Sequence, residues 1–469
     1  MSTEVLPAWL QNRTIPQLGA TVNYTGLAVY LVGSFFIYGT AVVVYRLYLS
    51  PIAHFPGPRL AAATEWYEFY YQLVKDGQWG RKIMDIHDEY GPIVRISPWE
   101  LSIRDSGFYH QLVSFISFIV TIFVDLRTLL KDSHHLTVPH ELHRHRRRHL
   151  ESFFSRKSIT DFESTIIWKV RVLDQRLQSL AATKTVVHVD HAFMALTGDI
   201  IAHVTCGTTP RLLEDKDFSP AWHELMHKTV LVAPLFRCFS WLNRLMQMMP
   251  SAFVERVYPK GISSTMVGKM GRDYIEKIRS QMESDTVGVT STAPHSVFHH
   301  LLSSEIAPSE KSTARLQAES MVILIAGTFT SAHTLSMIVY HVLSDPRIEK
   351  RLREELCEVM ACYPAQSPRW ADLERVAYLQ GCIKEALRLY GLVGNLARCS
   401  PEVALQYKQW TIPKHTPVGM SIYQMHTDPA VWADPLEFRP ERWLGSYDSR
   451  MDRNYVPFTK GSRACLGSK

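Results

Sequence analysis

One cysteine near the end of the chain has the surroundings of a metal-binding thiolate. Cys465 lies between Gly461 and Gly467, with Arg463 two residues before it and Phe458 upstream. Glycines let the backbone approach a ligand closely, and backbone amides with an arginine favour anionic sulfur, the form that binds metals. The other cysteines form no C-x-x-C pair, so zinc ribbons and iron–sulfur clusters are poorly supported. The pattern predicts a single thiolate ligand to a haem; a glycine-rich turn around a small buried cysteine is the alternative.

The spacing F-x-x-G-x-R-x-C-x-G of residues 458–467 resembles the haem-binding loop of cytochromes P450, where the thiolate pushes electron density onto iron and favours O–O cleavage. The resemblance implies haem b with Cys465 as axial ligand of the iron. It also implies electrons from NADPH through a separate NADPH–cytochrome P450 reductase, and monooxygenation of an apolar small molecule. Within the family, the chain is most similar to fungal P450s of secondary metabolism, including trichodiene oxygenase-like members.

A long helix is predicted on the oxygen side. Residues 315–344 have helical periodicity and end before a proline, so about thirty residues at 1.5 Å each would span roughly 45 Å. Segment 326–331 resembles the P450 segment that borders the oxygen site, which implies that Gly327 leaves room for dioxygen and that the Thr330 hydroxyl assists proton transfer. Phe329 departs from the family, which usually has an acid there, so we expect protons to arrive through water, another side chain or the substrate. A helix-packing role for Gly327 and Thr330 is the alternative.

A structural network is predicted behind the haem. Glu385 and Arg388 lie at i and i+3, neighbouring positions on one helix turn. Such a pair alone is weak evidence, because exposed pairs contribute little. The segment 438–443 follows at a family-like distance and resembles the P450 segment that supplies a second arginine, here Arg442. The resemblance implies that these three residues form one hydrogen-bonded network that fixes the cysteine loop.

The cationic segment 140–149 is predicted to be helical and resembles the P450 helix with W-x-x-x-R, with His143 in the tryptophan position. His143 and Arg147 share one helix face, so the resemblance implies that both reach a haem propionate. Arg398 and Arg463 would neutralise the propionates with Arg147, and the outward arginines would face an acidic reductase. A nucleic-acid patch is the alternative; without a second basic region we expect no nucleic-acid partner.

The N-terminal region predicts a membrane anchor. Residues 24–45 contain no charge and are long enough to cross a bilayer as a helix. A secretory signal peptide is the alternative, but the apolar run is longer than usual for one. More arginines follow the run than precede it, which favours a cytosolic body in the endoplasmic reticulum membrane.

The predicted domain organisation follows from these features. We expect a short lumenal N-terminus at 1–23, the transmembrane anchor at 24–45, a proline-rich hinge at 46–60, and a P450 haem domain at 61–469. The fold class is mainly α, a cytochrome P450 fold with small β-sheets and an N-terminal transmembrane helix. The chain stops four residues after Cys465, where the family continues, so a C-terminally truncated haem domain with weak haem retention is expected.

Composition agrees with a globular protein of this kind. The chain has 469 residues, of which 46% are hydrophobic and 20% charged, enough for a large core. A formal net charge of +6 suits a membrane surface or an acidic partner and is too diffuse to indicate nucleic acid. Seven scattered cysteines give no disulfide framework and favour a reducing compartment.

The apolar run at 112–124 departs from the family, which usually has a more polar loop there. It is too short for a confident membrane span and rich in β-branched residues. One hypothesis is that residues from Val113 to about Lys131 are translated non-coding sequence. Transcript sequencing that finds these codons in mature message would refute it.

His223 and His227 fit the pattern H-E-x-x-H, which on a helix places two zinc ligands and a general base. No clear third ligand follows in the sequence, so a zinc hydrolase is disfavoured. Two further alternatives to the monooxygenase are a haem-thiolate isomerase or dehydratase, which Phe329 mildly favours, and an inactive truncated P450-like membrane protein.

Overall fold

The structure of the chain is a computed structural model, and it describes residues 24–115, 118–119, 130, 132–239, 241, 245, 248–249, 263–285, 296–391, 394–395, 397–445 and 448–468. In chain order, the α-helices α1 to α17 of these residues are Tyr24–Val44, Arg59–Ala63, Trp66–Phe69, Trp79–Tyr90, Tyr109–Phe115, His140–Glu151, Arg156–Ala182, Val189–Cys206, Pro220–Cys238, Ser263–Asp285, Val297–Ser303, Thr313–Ser344, Pro346–Leu356, Trp370–Leu373, Ala377–Leu389, Ile422–His426 and Ser449–Asn454. The strands β1 to β7 are Ile93–Arg95, Leu101–Ile103, Phe118–Ile119, Arg398–Cys399, Leu405–Tyr407, Trp410–Ile412 and Pro417–Gly419. Short π-helical segments are Tyr45–Leu49 and Tyr70–Val74, and short 3₁₀ segments are Ser152–Phe154, Leu212–Glu214, Pro308–Lys311 and Pro440–Trp443. The prediction of a mainly α fold with small β-sheets is confirmed.

Helix α12 is the central element of the fold. It begins at Ser312, whose hydroxyl accepts a hydrogen bond from the backbone N–H of Arg315 and so satisfies a free donor of the first turn. It runs for 32 residues and ends before Pro346, close to the bounds predicted from periodicity. Helices α8 and α10 pack along it. The most deeply buried side chains of this core are Ala195, Leu213, Met226, Val267 and Leu324.

The larger sheet has the strand order β1-β2-β7-β4-β3. Strand β7 runs parallel to β2, and the other neighbours are antiparallel. Strands β5 and β6 form a separate hairpin. Leu101, Ile412 and Val418 are completely buried in one cluster, which packs the hairpin onto the sheet. Strand β4 carries Arg398, one of the predicted propionate partners.

The apolar run at 112–124 divides between two elements. Leu112 and Val113 are buried in the sheet cluster at the end of α5, and Phe118–Ile119 form the edge strand β3, in which Ile119 pairs with Arg398. A β-branched segment suits such an edge. Residues 116–117, 120–129 and 131 lie outside the described residues, and the hypothesis that this segment is non-coding stays a prediction.

Helix α1 is the candidate membrane anchor. Two helices of the described residues are long and apolar enough to cross a membrane, Ala28–Leu49 and Thr313–Ser344. The second is the core helix α12, whereas the first buries none of its apolar window in the protein. Phe35 and Ile37 are more than 70% exposed, which in water would be costly for side chains of this size.

The hinge after the anchor is bonded to the body. Both terminal nitrogens of Arg46 donate to the carboxylate of Glu65, at 2.9 and 3.1 Å. The backbone N–H of Arg95 on β1 donates to the carbonyl of Pro56 at 2.7 Å, and its guanidinium donates to the carbonyl of Arg46 at 2.8 Å. These bonds attach the segment that follows α1 to the first strand of the sheet.

Candidate active site

The carboxylate of Glu385 on α15 is completely buried and accepts four side-chain hydrogen bonds. Arg388 donates through Nε at 3.0 Å and through Nη2 at 2.7 Å. Arg442 donates through Nε at 2.8 Å, and the indole N–H of Trp443 donates at 2.9 Å. Charge-assisted bonds of this kind are about twice as strong as neutral ones. The structure thus brings together the three residues named as a network and adds Trp443, whose role no sequence pattern indicated.

His426 connects this network to the cysteine loop. Its Nδ1–H donates to the carbonyl of Arg388 at 2.9 Å, and its Nε2 accepts from the backbone N–H of Val456 at 2.9 Å. Burial lowers the pKa of His426 to about 3, so the ring is neutral and can accept and donate at once. Val456 lies two residues before Phe458, where the loop begins. No sequence pattern indicated this histidine, because its partners are 38 and 30 residues away.

Arg463 is buried against the start of α6. Its Nη1 donates to the carbonyl of Thr137 at 2.7 Å and its Nη2 to the carbonyl of Val138 at 2.9 Å. Burial, and then the charges of Arg398 and Arg147, lower the pKa of Arg463 to about 10. The three arginines named as propionate partners are therefore close enough to repel one another.

The other two arginines hold the loop through its backbone. Arg147 donates to the carbonyl of Ala464 at 2.6 Å and to the carboxylate of Glu151 at 2.8 Å. Arg398 donates to the carbonyl of Lys460 at 3.4 Å. Burial lowers the pKa of Arg398, although a hydrogen bond with the Tyr109 hydroxyl opposes this shift. Two of the three cations thus have neutral partners, and only Arg147 is paired with a carboxylate among the described residues.

Two buried nitrogens at this place have no hydrogen-bond partner in the described part of the chain: Arg463 Nε and His143 Nδ1. Burial, followed by the charge of Arg463, lowers the pKa of His143 to about 3, so its ring is neutral. Converging guanidinium groups with spare donors are suited to carboxylate ligands. A haem presents two propionates, so the donor set fits the haem implied by the cysteine loop.

The cysteine loop itself is a tight, partly exposed turn. Cys465 is exposed, and its backbone N–H donates to the carbonyl of Phe458 at 2.9 Å. Gly461 has φ +84°, and a Cβ at this position would lie 2.6 Å from Cγ1 of Val113. Both the backbone conformation and the lack of space therefore require a glycine here. Gly467 is exposed after the cysteine. The loop presents its sulfur away from the protein core.

The middle of α12 is open on one face. Ala326 and Thr330 lie one turn apart and are exposed, although Thr328 between them is completely buried. The Thr330 hydroxyl donates to the carbonyl of Ala326 at 2.7 Å, and its oxygen lone pairs remain able to accept. Gly327 has a packing role, because a Cβ there would lie 2.8 Å from Ile201 of α8.

Phe329 occupies the position where the family usually has an acid. Its ring packs against the α8–α12 core cluster, and its centroid lies 6.2 Å from that of His227 on α9. Successive residues on a helix are turned by about 100°, so Phe329 and Thr330 lie on different faces. The Phe329 side chain therefore does not occupy the open face that presents Thr330.

A second buried ion network borders the site and has no counterpart in the sequence motifs. Glu319 of α12 accepts hydrogen bonds from the backbone N–H of His134 at 2.9 Å and from the His134 ring, and it forms an ion pair with Arg315 at 2.5 Å. Burial alone would raise the pKa of Glu319, but the interactions with His134 and Arg315 lower it to about 2. The His134 ring lies 6.2 Å from that of His143, which joins this network to the arginine cluster.

The H-E-x-x-H pattern does not assemble a hydrolase. Glu224, the general base of such a site, is paired with Lys228 at 2.5 Å. His223 Nε2 lies 3.0 Å from Asp190 Oδ2, and the rings of His223 and His227 stack with centroids 5.9 Å apart. These residues lie in a histidine cluster at the start of α8 and α9.

Comparison with known proteins identifies the family of the chain. Residues 114–469 match the family model described as Cytochrome P450. A cytochrome P450 monooxygenase of Aspergillus flavipes is 41% identical over 469 residues, covering 96% of each chain. One of Aspergillus clavatus is 42% identical over 94% of this chain and 86% of its own. A fusicoccadiene C-8 hydroxylase of Alternaria brassicicola is 41% identical over 95% of this chain and 86% of its own.

Proposed function

Because the chain belongs to the cytochrome P450 family, an enzyme family of oxidoreductases, we propose that it is a haem-thiolate monooxygenase that hydroxylates an apolar small molecule of fungal secondary metabolism. The observation that carries the proposal is the convergence of Arg147, Arg398 and Arg463 beside the loop of Cys465. The names of the relatives favour this function over an isomerase, a zinc hydrolase or a protein without catalysis.

Different residues at the loop would bind different parts of haem b. Cys465 would supply the thiolate, and the three arginines with His143 would hold the propionates. When bound, a thiolate-ligated haem activates dioxygen for transfer of one oxygen atom to a substrate, with NADPH-derived electrons and protons reducing the other to water. The Glu385 network and His426 would hold the loop in position, because both carboxylate oxygens of Glu385 already accept side-chain hydrogen bonds.

Thr330 would hold and pass a proton on the oxygen side. Its hydroxyl hydrogen is donated to the carbonyl of Ala326, and its lone pairs can accept a hydrogen bond from a water on the open face. Since Phe329 is turned into the core, a water chain or the substrate would bring protons to Thr330. General acid–base groups of this kind contribute typically 10²–10⁴-fold in rate.

The substrate is proposed to be a hydrocarbon or a lightly oxidised derivative of one. The fusicoccadiene C-8 hydroxylases among the relatives act, by their names, on a diene. Such a molecule partitions into membranes, and α1 would keep the enzyme at the endoplasmic reticulum membrane with the catalytic domain in the cytosol. NADPH–cytochrome P450 reductase is the proposed electron donor, and the exposed Arg144 and Arg148 of α6 would meet its acidic surface.

A reduced, CO-bound absorption spectrum tests the ligand assignment. The purified chain is expected to give the thiolate-type Soret band, and Cys465→Ser is expected to lose it. Cys357→Ser is the matched control, because Cys357 is also an exposed free cysteine and lies far from the loop in sequence. A thiolate band that survives in Cys465→Ser would refute the assignment.

Turnover with a reductase tests the reaction type. Microsomes containing the chain and a fungal NADPH–cytochrome P450 reductase are given fusicoccadiene as the probe substrate. We expect a hydroxylated product that requires both NADPH and dioxygen and that carries ¹⁸O from ¹⁸O₂. A rearranged or dehydrated product formed without NADPH would support the isomerase alternative instead.

A further inference from the structure

Four histidines and one aspartate meet at the surface where α8 and α9 begin. His188 is the N-cap of α8, and Asp190 and His191 lie in its first turn. One ligand atom from each of these three lies within 4.8 Å of the other two. From α9, His223 Nε2 approaches Asp190 Oδ2 to 3.0 Å, and its ring centroid lies 4.4 Å from that of His191. His227 stacks on His223.

The contacts within the cluster favour the binding of a cation. The imidazole rings of His188 and His191 stack with centroids 5.0 Å apart, and the Asp190 carboxylate lies among them. Nitrogen lone pairs and a carboxylate that converge on one point repel one another, and a bound cation removes this repulsion. Two imidazoles with one carboxylate form a donor set used by zinc, whereas magnesium and calcium prefer oxygen ligands.

We propose that His188, Asp190 and His191 bind a divalent transition-metal ion, zinc foremost, and that His223 positions Asp190. Zinc–ligand distances of about 2.0–2.2 Å place tetrahedral donor atoms about 3.3 Å apart. The three donors therefore need to close by roughly 1.5 Å at most, and rotation of side chains achieves this because His188 is exposed and the other two are half-buried. Water would complete the coordination.

His223 has the role that an outer partner has in metal sites. Ligating carboxylates are usually hydrogen-bonded in turn, and this fixes their orientation. His223 Nε2 on α9 lies 3.0 Å from Asp190 Oδ2 and would supply that bond, so the ion would join the start of α8 to α9. This differs from the H-E-x-x-H hypothesis, in which His223 and His227 were the ligands and Glu224 the base.

The ion would stabilise the attachment of α9 to the core. At its other end, α9 is already fixed by Arg237, which pairs with Glu68 at 3.2 Å and also with Glu100. Near the cluster, the ring of His227 reaches Phe329 of α12. Metal binding would therefore add a link at the N-terminal end of a helix that packs beside the oxygen-side helix, independently of haem.

Zinc binding by the full chain tests the proposal. A tag-free, detergent-solubilised preparation is stripped with EDTA and dialysed against buffered Zn²⁺, and bound zinc is measured by plasma emission with iron as the internal measure of haem. We expect saturation near one zinc per chain and no competition from excess Mg²⁺. The double variant His188→Gln/His191→Gln is expected to lose this binding, and His223→Gln to weaken it about tenfold.

A second histidine pair provides the matched control. His145 and His149 on α6 have ring centroids 5.0 Å apart at i and i+4, but arginines flank them in the sequence. We expect His145→Gln/His149→Gln to retain full zinc binding. An equal loss in this control would overturn the proposal, as would the absence of zinc binding in the unmodified chain.

Thermal unfolding separates a specific site from a folding defect. In EDTA, the variants are expected to unfold at the same temperature as the unmodified chain, because the substituted side chains are exposed or half-exposed. Added Zn²⁺ is expected to raise the unfolding temperature of the unmodified chain and of the α6 control, but not that of His188→Gln/His191→Gln. A zinc-induced rise that persists in His188→Gln/His191→Gln would contradict the assignment.

Discussion

The arginine clusters around Glu385 and around the cysteine loop differ in one respect. Around Glu385, Arg388 and Arg442 are paired with a buried carboxylate. Around the cysteine loop, the buried Arg398 and Arg463 bond to backbone carbonyls, and one buried nitrogen of Arg463 has no partner in the described chain.

The difference distinguishes a scaffold from a binding site. A buried ion network whose partners are all internal holds parts of the chain together, and removal of one partner leaves an uncompensated charge. A buried cationic cluster without internal counter-charge is costly until an anion binds. Substitutions in the first cluster should therefore lower the stability of the haem-free protein. Substitutions in the second should lower the affinity for haem.

The strongest test is Glu385→Ala. It leaves Arg388 buried without its carboxylate and removes the acceptor of Trp443, so we expect a loss of about 3–5 kcal/mol in the free energy of unfolding or a failure to accumulate folded protein. Denaturant unfolding measures this. Glu349→Ala, which removes the exposed pair with Arg353, should cost less than about 1 kcal/mol. Similar costs for both variants would contradict the distinction.

The scaffold should also respond to acid through His426. Its pKa is lowered from the ordinary 6.5 to about 3 by burial, so as the pH falls His426 is protonated in the unfolded chain before it is protonated in the folded chain. The stability that this residue contributes is fully present above pH 6.5 and declines as pH falls toward 3, by about 1.4 kcal/mol per pH unit. His426→Gln, which cannot titrate, should flatten the dependence of unfolding free energy on pH between 6.5 and 4.5. His145→Gln, at an exposed position, should leave it unchanged; no difference between the two variants would refute the assignment.

The binding cluster should behave in the opposite way in Arg398→Met. The substitution removes a buried charge without a carboxylate partner, so the unfolding free energy of the haem-free chain is expected to change little or to rise. Haem affinity, measured by titration of the haem-free chain, is expected to fall about tenfold, or about 1.4 kcal/mol. Arg104→Met, which removes an exposed pair with Asp88, should change neither quantity. Retained affinity in Arg398→Met would show that this arginine does not hold the propionates.

The smallest effect on stability is expected for Thr330→Ala. The Thr330 side chain is exposed and bonds only to its own helix among the described contacts, so unfolding free energy should change by less than about 0.5 kcal/mol. The amount of hydroxylated product per NADPH consumed should nevertheless fall several-fold, because a proton-holding hydroxyl is lost. Thr334→Ala, one turn farther along α12 with the same kind of helix bond, is the control. An equal amount of hydroxylated product per NADPH in both variants would show that Thr330 has no role in the reaction.

Sequence spacing was sufficient where partners lie close in the chain or within one motif. The helix predicted over 315–344 is observed as Thr313–Ser344, and the family inferred from the cysteine loop is confirmed by the family model and the relatives. Helical periodicity and capping are local properties, so a single sequence contains them.

The tertiary structure decided the partners that are distant in sequence. Arg463 bonds to a carbonyl 326 residues earlier, and Glu319 bonds to His134 across 185 residues. The three proposed metal ligands lie within four residues of one another, but only the packing of α9 on α8 brings His223 to within 3.0 Å of Asp190. By itself the sequence determined the family and indicated the candidate site residues. Only packing decided which charges have a carboxylate partner among the described residues and which bond to neutral groups, because burial and distance depend on the whole fold.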